Sequence, residues 1–340
     1  MIRGTFYLLS NDYSGQYRRE TTILLLQLTP AFITFLLTVF IAPLLIYTLK
    51  KLKLTQPIRV ELPSDHQEKK GTPLMLGSVF FVGIFVALYY YTTSPVMLFL
   101  VATFILFSFI GFLDDFWKAS KQDPGGVSGK TKLKFQFAFT ILLLYIGIDL
   151  FEIDTSIRVT ESLNIVLPYI IYLILITLFI VGTANAINFT DGMDGLLGMV
   201  SIPTYFFFFV ISENTEVKVF CLVMIATILG FLIYNLYPAK AFMGDTGSLA
   251  IGGTLSFLAI IENVEILIPI LFIIYLAEQL SVIIQVAYFK RTKKKLFRFT
   301  PIHYHYGIKY GWSENMIVTV FAMISWAACG ICLVYYEVFM

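Results

Sequence analysis

Charge is what this sequence has least of. Only 14% of its 340 residues are Asp, Glu, Lys or Arg, where soluble domains carry roughly 25%. A net charge of +2 excludes a nucleic-acid binder that works by bulk charge. Cysteine is scarce as well, and three residues cannot staple a disulfide scaffold. Cys221, Cys329 and Cys332 all fall in apolar runs, and the CxxC formed by the last two lacks polar support for a metal or redox role. They read as small apolar side chains. Collagen-like periods, low-complexity tracts and internal repeats are missing, and the composition excludes polar disorder. The first twenty residues are polar and do not read as a cleavable signal.

Apolar residues are what remains. They make up 58% of the chain, and Phe alone occurs 33 times. A soluble fold of this size has too little interior to hide that much apolar surface. The expectation is an all-α polytopic integral membrane protein. A crossing helix needs about 20 apolar residues. Stretches without Asp, Glu, Lys or Arg are Ile23–Leu49, Thr72–Leu113, Phe135–Ile148, Ser162–Ala184, Gly195–Ser212, Val219–Leu236, Thr246–Ile261 and Asn315–Tyr336, with Ile266–Phe289 interrupted by Glu278. Thr72–Leu113 is long enough for two crossings, divided at Thr92-Thr93-Ser94-Pro95. About ten spans result.

Of the 24 Lys and Arg residues, 19 fall in the loops after odd-numbered spans. By the positive-inside bias those loops are cytoplasmic and both termini are extracytoplasmic. The chain is then a single membrane domain over 1–340, with 1–22 as an extracytoplasmic N-terminal segment. Phe151–Glu161 alternates apolar and polar residues and is expected to form a small external hairpin.

Five polar clusters all fall on the cytoplasmic side of this arrangement. They are Lys69-Lys70-Gly71-Thr72-Pro73, Asp114-Asp115 with Lys118, Asn185 to Asp194, Asn235 to Ser248, and Pro301 to Tyr306. Their convergence points to one site at the inner membrane surface. Asp114-Asp115 reads either as a solvated helix end or as a pair handling a metal ion and a proton, because adjacent carboxylates at a membrane boundary need neutralising. Asp191 and Asp194 stand three apart beside Gly192 and Gly195, and Asp191 could equally be a helix cap. Asp245, between glycines at the start of a span, is either a plain cap or a ligand for a hard cation. Magnesium suits such carboxylates better than zinc, even with His303 and His305 nearby. The run Lys290–Arg298 reads as a membrane anchor. Acids, lysines and histidines at a lipid–water boundary suit phosphoryl transfer between a soluble nucleotide-type substrate and a lipid phosphate.

The motifs KKGTPLMLG (69–77), GFLDDFWK (111–118), Lys132 with Gln136, NAINFTDGMDGL (185–196), NLYPAKAFMGDTGSLAIGG (235–253), EQLSVIIQV (278–286) and TPIHYHYGIKYGW (300–312) carry a specific resemblance. The chain resembles the polyprenyl-phosphate N-acetylhexosamine-1-phosphate transferase superfamily. Within it, the chain is similar to the phospho-N-acetylmuramoyl-pentapeptide transferase family. The resemblance implies attack of undecaprenyl phosphate on UDP-N-acetylmuramoyl-pentapeptide with Mg2+, giving UMP and lipid I at the bacterial cytoplasmic membrane. It implies Asp245 as the magnesium ligand. Asp114 and Asp115 would act near the lipid phosphate, one of them as a base. Asp191, Gly192, Met193, Asp194 and Phe242, with Lys69 or Lys70, would line the nucleoside pocket. Asn188, Asn235, Lys118 and Lys132 would support phosphates or acids, His303 would lie beside the reaction centre, and His305 joins the substrate-binding set. The oligomeric state stays open, with a homodimer as one option. The chain departs from the family pattern at Leu74-Met75-Leu76-Gly77, where TMGG is usual. It departs again at His303-Tyr304-His305, where three histidines are usual and Tyr304 keeps a hydrogen-bond donor. The family's ninth helix is broken, which Pro269 and Glu278 accommodate. Transfer of another UDP-N-acetylhexosamine phosphate is the alternative reaction. A membrane transporter is the alternative class, although its polar breaks would be expected at mid-membrane.

Overall fold

A computed structural model describes the backbone of residues 2–56, 71–153 and 155–340, with side chains at Leu25 and from Gln27 onward. Lys69 and Lys70 lie outside the described residues, so their expected role is not addressed by the structure. The chain is mostly helical. In order it forms α1 (Ile2–Lys51), a 3-10 turn (Leu76–Val79), α2 (Phe80–Tyr90), α3 (Pro95–Lys121) and α4 (Gly129–Leu150). Strands β1 (Ser156–Thr160) and β2 (Leu163–Val166) follow, then α5 (Tyr169–Thr190), α6 (Leu196–Ile211), α7 (Thr215–Asn235) and α8 (Asp245–Ile261). A second 3-10 turn (Glu265–Leu267) leads through a short α9 (Ile268–Leu271) into α10 (Ile273–Thr292), α11 (Ile302–Tyr310) and α12 (Glu314–Phe339).

Seven of these helices are long and apolar enough to cross a membrane. Three shorter apolar helices accompany them: Leu76–Tyr90, Leu196–Ile211 and Asp245–Ile261. Every apolar stretch read from the sequence overlaps a helix. Many large apolar side chains remain exposed, among them Phe32, Phe40, Leu44, Phe85, Ile141, Ile170 and Val334. Water would penalise that surface and lipid would not, so the protein is an integral membrane protein.

The break between α2 and α3 falls at Thr92–Ser94, where Ser94 caps α3 by accepting the Met97 N–H at 3.3 Å and Pro95 opens the helix. A hairpin forms, but shifted towards the C-terminus from the expected Phe151–Glu161: β1 is antiparallel to β2, with Ser156 opposite Val166. β2 takes residues 163–166 out of the apolar stretch Ser162–Ala184, and α5 starts only at Tyr169. The sequence lacks a charge at that border, so the apolar count alone misplaces it. α1 runs unbroken from Ile2, with its apolar spanning part at Gln27–Lys51.

α8 is the centre of the bundle, buried from Thr246 to Ile260. It packs chiefly against α3 and α5. Close approach needs bare backbone at two points. A Cβ on Gly111 of α3 would run into the Asp245 carbonyl, and one on Gly252 would meet the Ala184 backbone of α5 at 2.8 Å. The first contact seats the Asp114-Asp115 end of α3 against the start of α8.

Candidate active site

The start of α8 organises the site. A helix N-terminus exposes N–H groups that need acceptors. Here the acceptor comes from another helix. Asp115, fully buried, accepts the Asp245 N–H at 3.0 Å, the Thr246 N–H at 2.8 Å and the Thr246 Oγ1–H at 2.6 Å. Gly244 passes this carboxylate at φ +76°, where a Cβ would collide with it. Asp115 is thus committed to capping α8 from a distance of 130 residues.

The neighbouring carboxylates are held differently. Asp114 accepts the Val127 N–H at 2.7 Å and pairs with Lys118 one turn along α3. Lys132, at the start of α4, lies 3.3 Å from Asp114 and 3.0 Å from Asp245. Lys118 also reaches Asp245, at 3.4 Å. Two ammonium groups therefore bridge two carboxylates from three helices. Lys132 does not turn outward to the membrane surface, as its position at a helix start would permit, but inward to these acids. Oxygen atoms of Asp114, Asp115 and Asp245 lie within 4.8 Å of one another. Such an all-oxygen donor set fits a hard cation. The three donors on Asp115 are fixed groups of α8, whereas Asp114 and Asp245 face the Lys118 and Lys132 ammonium groups, which a cation can replace.

The Asn185–Gly195 segment joins from the end of α5. Asn188 donates to Ser248 Oγ at 2.7 Å, tying α5 to α8. Asn185 and Gln136 pair at 2.7 Å beneath it. Asp191 is half-buried beside Gly244, and its carboxyl is pushed up to about 8 by burial first, then by the charges of Asp245 and Asp115. Asp194 and Asn235 have a different task. Asp194 accepts the Ala239 N–H at 2.9 Å, while Asn235 accepts the Gly195 N–H at 3.0 Å and donates to the Ala241 carbonyl at 2.9 Å. They hold the Leu236–Ala241 loop against the Asp191–Gly195 loop. Met193 is buried in the core. Phe242 is half-buried, and its backbone pairs with Pro73 and Leu76, at 2.8 and 2.9 Å, so the strap following Lys70 lies across it.

α11 brings the histidines. His303 is completely buried. Its Nδ1 lies 3.0 Å from Glu278 Oε2 of α10. Gly192 abuts the imidazole so closely that a Cβ there would overlap it. Tyr304 donates its hydroxyl proton to the Gly192 carbonyl at 2.9 Å. Burial first, and then the negative charges of Glu314, Glu278, Asp191 and Asp194, push that phenol up, so it remains a donor. His305 turns away, accepting the Arg298 N–H at Nδ1, 3.0 Å, and supporting the basic loop.

The structure thus gathers Asp114, Asp115, Lys118, Lys132 and Asp245 into one cluster. Asp191, Gly192, His303 and Tyr304 form its flank. Asn188 stitches the two together through α8. Two participants escaped the sequence reading as site residues. Thr246 is unremarkable in sequence because its role depends on Asp115. Glu278 did carry a signal: an ionisable side chain inside an apolar stretch is costly and marks a function.

Comparison with known proteins shows the family. The sequence model for glycosyl transferase family 4 matches residues 96–263. A phospho-N-acetylmuramoyl-pentapeptide-transferase of Staphylococcus carnosus is 38% identical over 305 residues, covering 86% of this chain and 94% of the relative. One of Clostridium beijerinckii is 39% identical over 308 residues, covering 89% and 94%. One of Clostridium acetobutylicum is 37% identical over 302 residues, covering 87% and 95%.

Proposed function

The chain belongs to the phospho-N-acetylmuramoyl-pentapeptide-transferase family, and from that premise we propose how its site performs the reaction. The enzyme transfers phospho-N-acetylmuramoyl-pentapeptide from the UDP-linked precursor to undecaprenyl phosphate, releasing UMP and forming lipid I for peptidoglycan synthesis. The observation that carries the site assignment is the cluster in which Lys118 and Lys132 bridge Asp114 and Asp245. Phosphoryl transfer asks mainly for positioning and for neutralisation of spread negative charge.

Asp245 and Asp114 would hold Mg2+, which supplies neutralisation of phosphate charge when bound. Lys118 and Lys132 stand where they can pass from carboxylate to phosphate oxygens as substrate arrives. The lipid phosphate, with a second pKa of about 6, is largely dianionic at neutral pH. It needs orientation more than deprotonation. Asp115 is occupied by the α8 cap, so orientation of the nucleophile falls to Asp114. Asp191, Gly192 and Phe242 would contact the nucleotide, with Lys69 or Lys70 beside them. Asp194 and Asn235 would shape that pocket by holding its loops, and Asn188 by tying α5 to α8. His303 would face the reacting diphosphate.

We place this site at the cytoplasmic face of a bacterial inner membrane. Ten crossings follow from the apolar stretches, with α2, α6 and α8 as short crossings, and extracytoplasmic termini follow from the charge bias. A C-terminal alkaline phosphatase fusion should then be active and a C-terminal green fluorescent protein fusion dark. The opposite pattern removes the topology.

The reaction is tested by UMP release from detergent-purified protein given both substrates, with and without Mg2+, beside Asp245→Asn. Release that requires both substrates and Mg2+, and is lost in the variant, is expected. Turnover of UDP-N-acetylglucosamine in place of the muramoyl precursor would move the chain to the alternative reaction.

A further inference from the structure

Glu278 has no part in the cluster of acids and lysines, yet it is completely buried. It lies on α10, and its carboxylate faces α11. Oε2 is 3.0 Å from His303 Nδ1 and 3.4 Å from the His303 backbone N–H. Oε1 of Glu278 and Nε2 of His303 have no hydrogen-bond partner among the described residues. The imidazole is further confined by the Tyr304 ring, whose centroid is 4.2 Å away, and by the bare Cα of Gly192.

Stability alone is a poor reason for this pair. A buried carboxylate and imidazole lose hydration, and replacing such pairs with apolar groups of similar volume is often neutral or stabilising. The geometry does have a chemical consequence. Oε2 already accepts the His303 backbone N–H, so the arrangement that suits the pair has Nδ1–H donate to the same oxygen. Nε2 is then the nitrogen that exchanges its proton or lone pair with a partner. It is turned to Gly192, the residue after Asp191.

We propose that Glu278 is a positioning residue for the transfer reaction. It fixes the orientation and tautomer of His303, so that Nε2 addresses the phosphate-bearing substrate held by the Asp191–Gly192 loop. The Nε2 partner is a phosphate oxygen or its proton, and no covalent step at His303 is involved. The role in turnover rests on the transferase reading. The tautomer does not.

Two measurements test it. In protein carrying 15N-histidine, the His303 signals are assigned by their loss in His303→Asn. Nδ1 should be of the protonated type across the neutral range, and Glu278→Leu should produce a mixture of tautomers. In the UMP-release assay, Glu278→Leu should fold and lose kcat by about 10- to 100-fold, the scale seen when a carboxylate that orients a metal-bound histidine is removed. KM for the UDP precursor should stay within about threefold. Glu278→Gln, which retains an acceptor for Nδ1–H, should fall between wild type and Leu, and it carries the kinetic test if the Leu variant does not fold. An unprotonated Nδ1 in the wild type overturns the proposal, as does unchanged kcat in the variants or a loss confined to KM. Absence of turnover in the wild type with a protonated Nδ1 would instead strike the transferase reading.

Discussion

The Asp115 carboxylate closes the N-terminus of α8 through Thr246, accepting both its N–H at 2.8 Å and its hydroxyl at 2.6 Å. Two adjacent acids in sequence, Asp114 and Asp115, therefore do unlike work. Asp115→Asn puts an NH2 group where one carboxylate oxygen accepted a donor, leaving a buried donor unpaired. The cost expected for a lost cap is about 1–2 kcal/mol. Asp114→Asn leaves the cap intact. Thermal unfolding in detergent should show Asp115→Asn as the less stable of the two, although both lose turnover. Equal or reversed stabilities would remove the division of labour.

Lys132 holds Asp114 and Asp245 together from α4. Lys132→Met keeps the stem but takes a cation from a site with two carboxylates. Charge-assisted hydrogen bonds of this kind contribute roughly 1.5–3 kcal/mol, so the metal-free variant should unfold at lower temperature. Mg2+ should then raise its unfolding temperature by more than it raises that of the wild type. A Mg2+-induced shift no larger than the wild type's would mean that the lysine and the cation do not serve the same carboxylates.

What could be read in the sequence and what could not divides along a physical line. Helices were legible because a lipid-exposed helix must be apolar over its whole length, as Asn315–Tyr336 shows within α12. The border before α5 was not, because a strand and a helix can both be apolar. The site's neighbourhood was legible because polar residues at span ends are conspicuous against Phe, Leu and Ile. Individual roles were less so. Asp191 and Asp194 look alike on paper, yet Asp194 holds Ala239 of the next loop while Asp191 sits against Gly244. Asp115 and Thr246 could not be joined from spacing at all, since the contact exists only once α3 packs on α8 across Gly111.

Asp191 predicts a proton linkage. Without metal its carboxyl is pushed up to about 8 by burial, Asp245 and Asp115. The neutral acid is therefore appreciably populated at pH 7. A cation nearby favours the carboxylate, so Mg2+ uptake should expel protons, and apparent Mg2+ affinity should rise as pH increases through about 8. Calorimetry in buffers of different ionisation enthalpy should detect the release, and Asp191→Asn should reduce it. Affinity unchanged between pH 6.5 and 9 would sink this prediction.

Tyr304 stands where the family usually has a histidine, and it bonds Gly192 through its hydroxyl. Tyr304→Phe deletes one donor and leaves the Gly192 carbonyl short of a partner, at a cost of about 1 kcal/mol. Because Gly192 also abuts His303, kcat should fall several-fold. Tyr304→His returns a ring with an N–H donor and should retain more activity than Phe. A Phe variant as active as the wild type would make the hydroxyl irrelevant to turnover.

The stereochemical course at phosphorus separates two routes through the same carboxylates. A covalent route would need an aspartate free to attack the diphosphate. Asp115 is engaged by three donors on α8. Asp114 accepts the Val127 N–H and is held by Lys118 and Lys132, contacts that occupy its oxygens and weaken it as a nucleophile. The lipid phosphate already carries the charge needed for attack. Direct displacement should therefore invert configuration in a UDP-linked precursor made chiral at the transferred phosphorus. Two successive displacements would return retention, and that result would assign the attack to one of these aspartates.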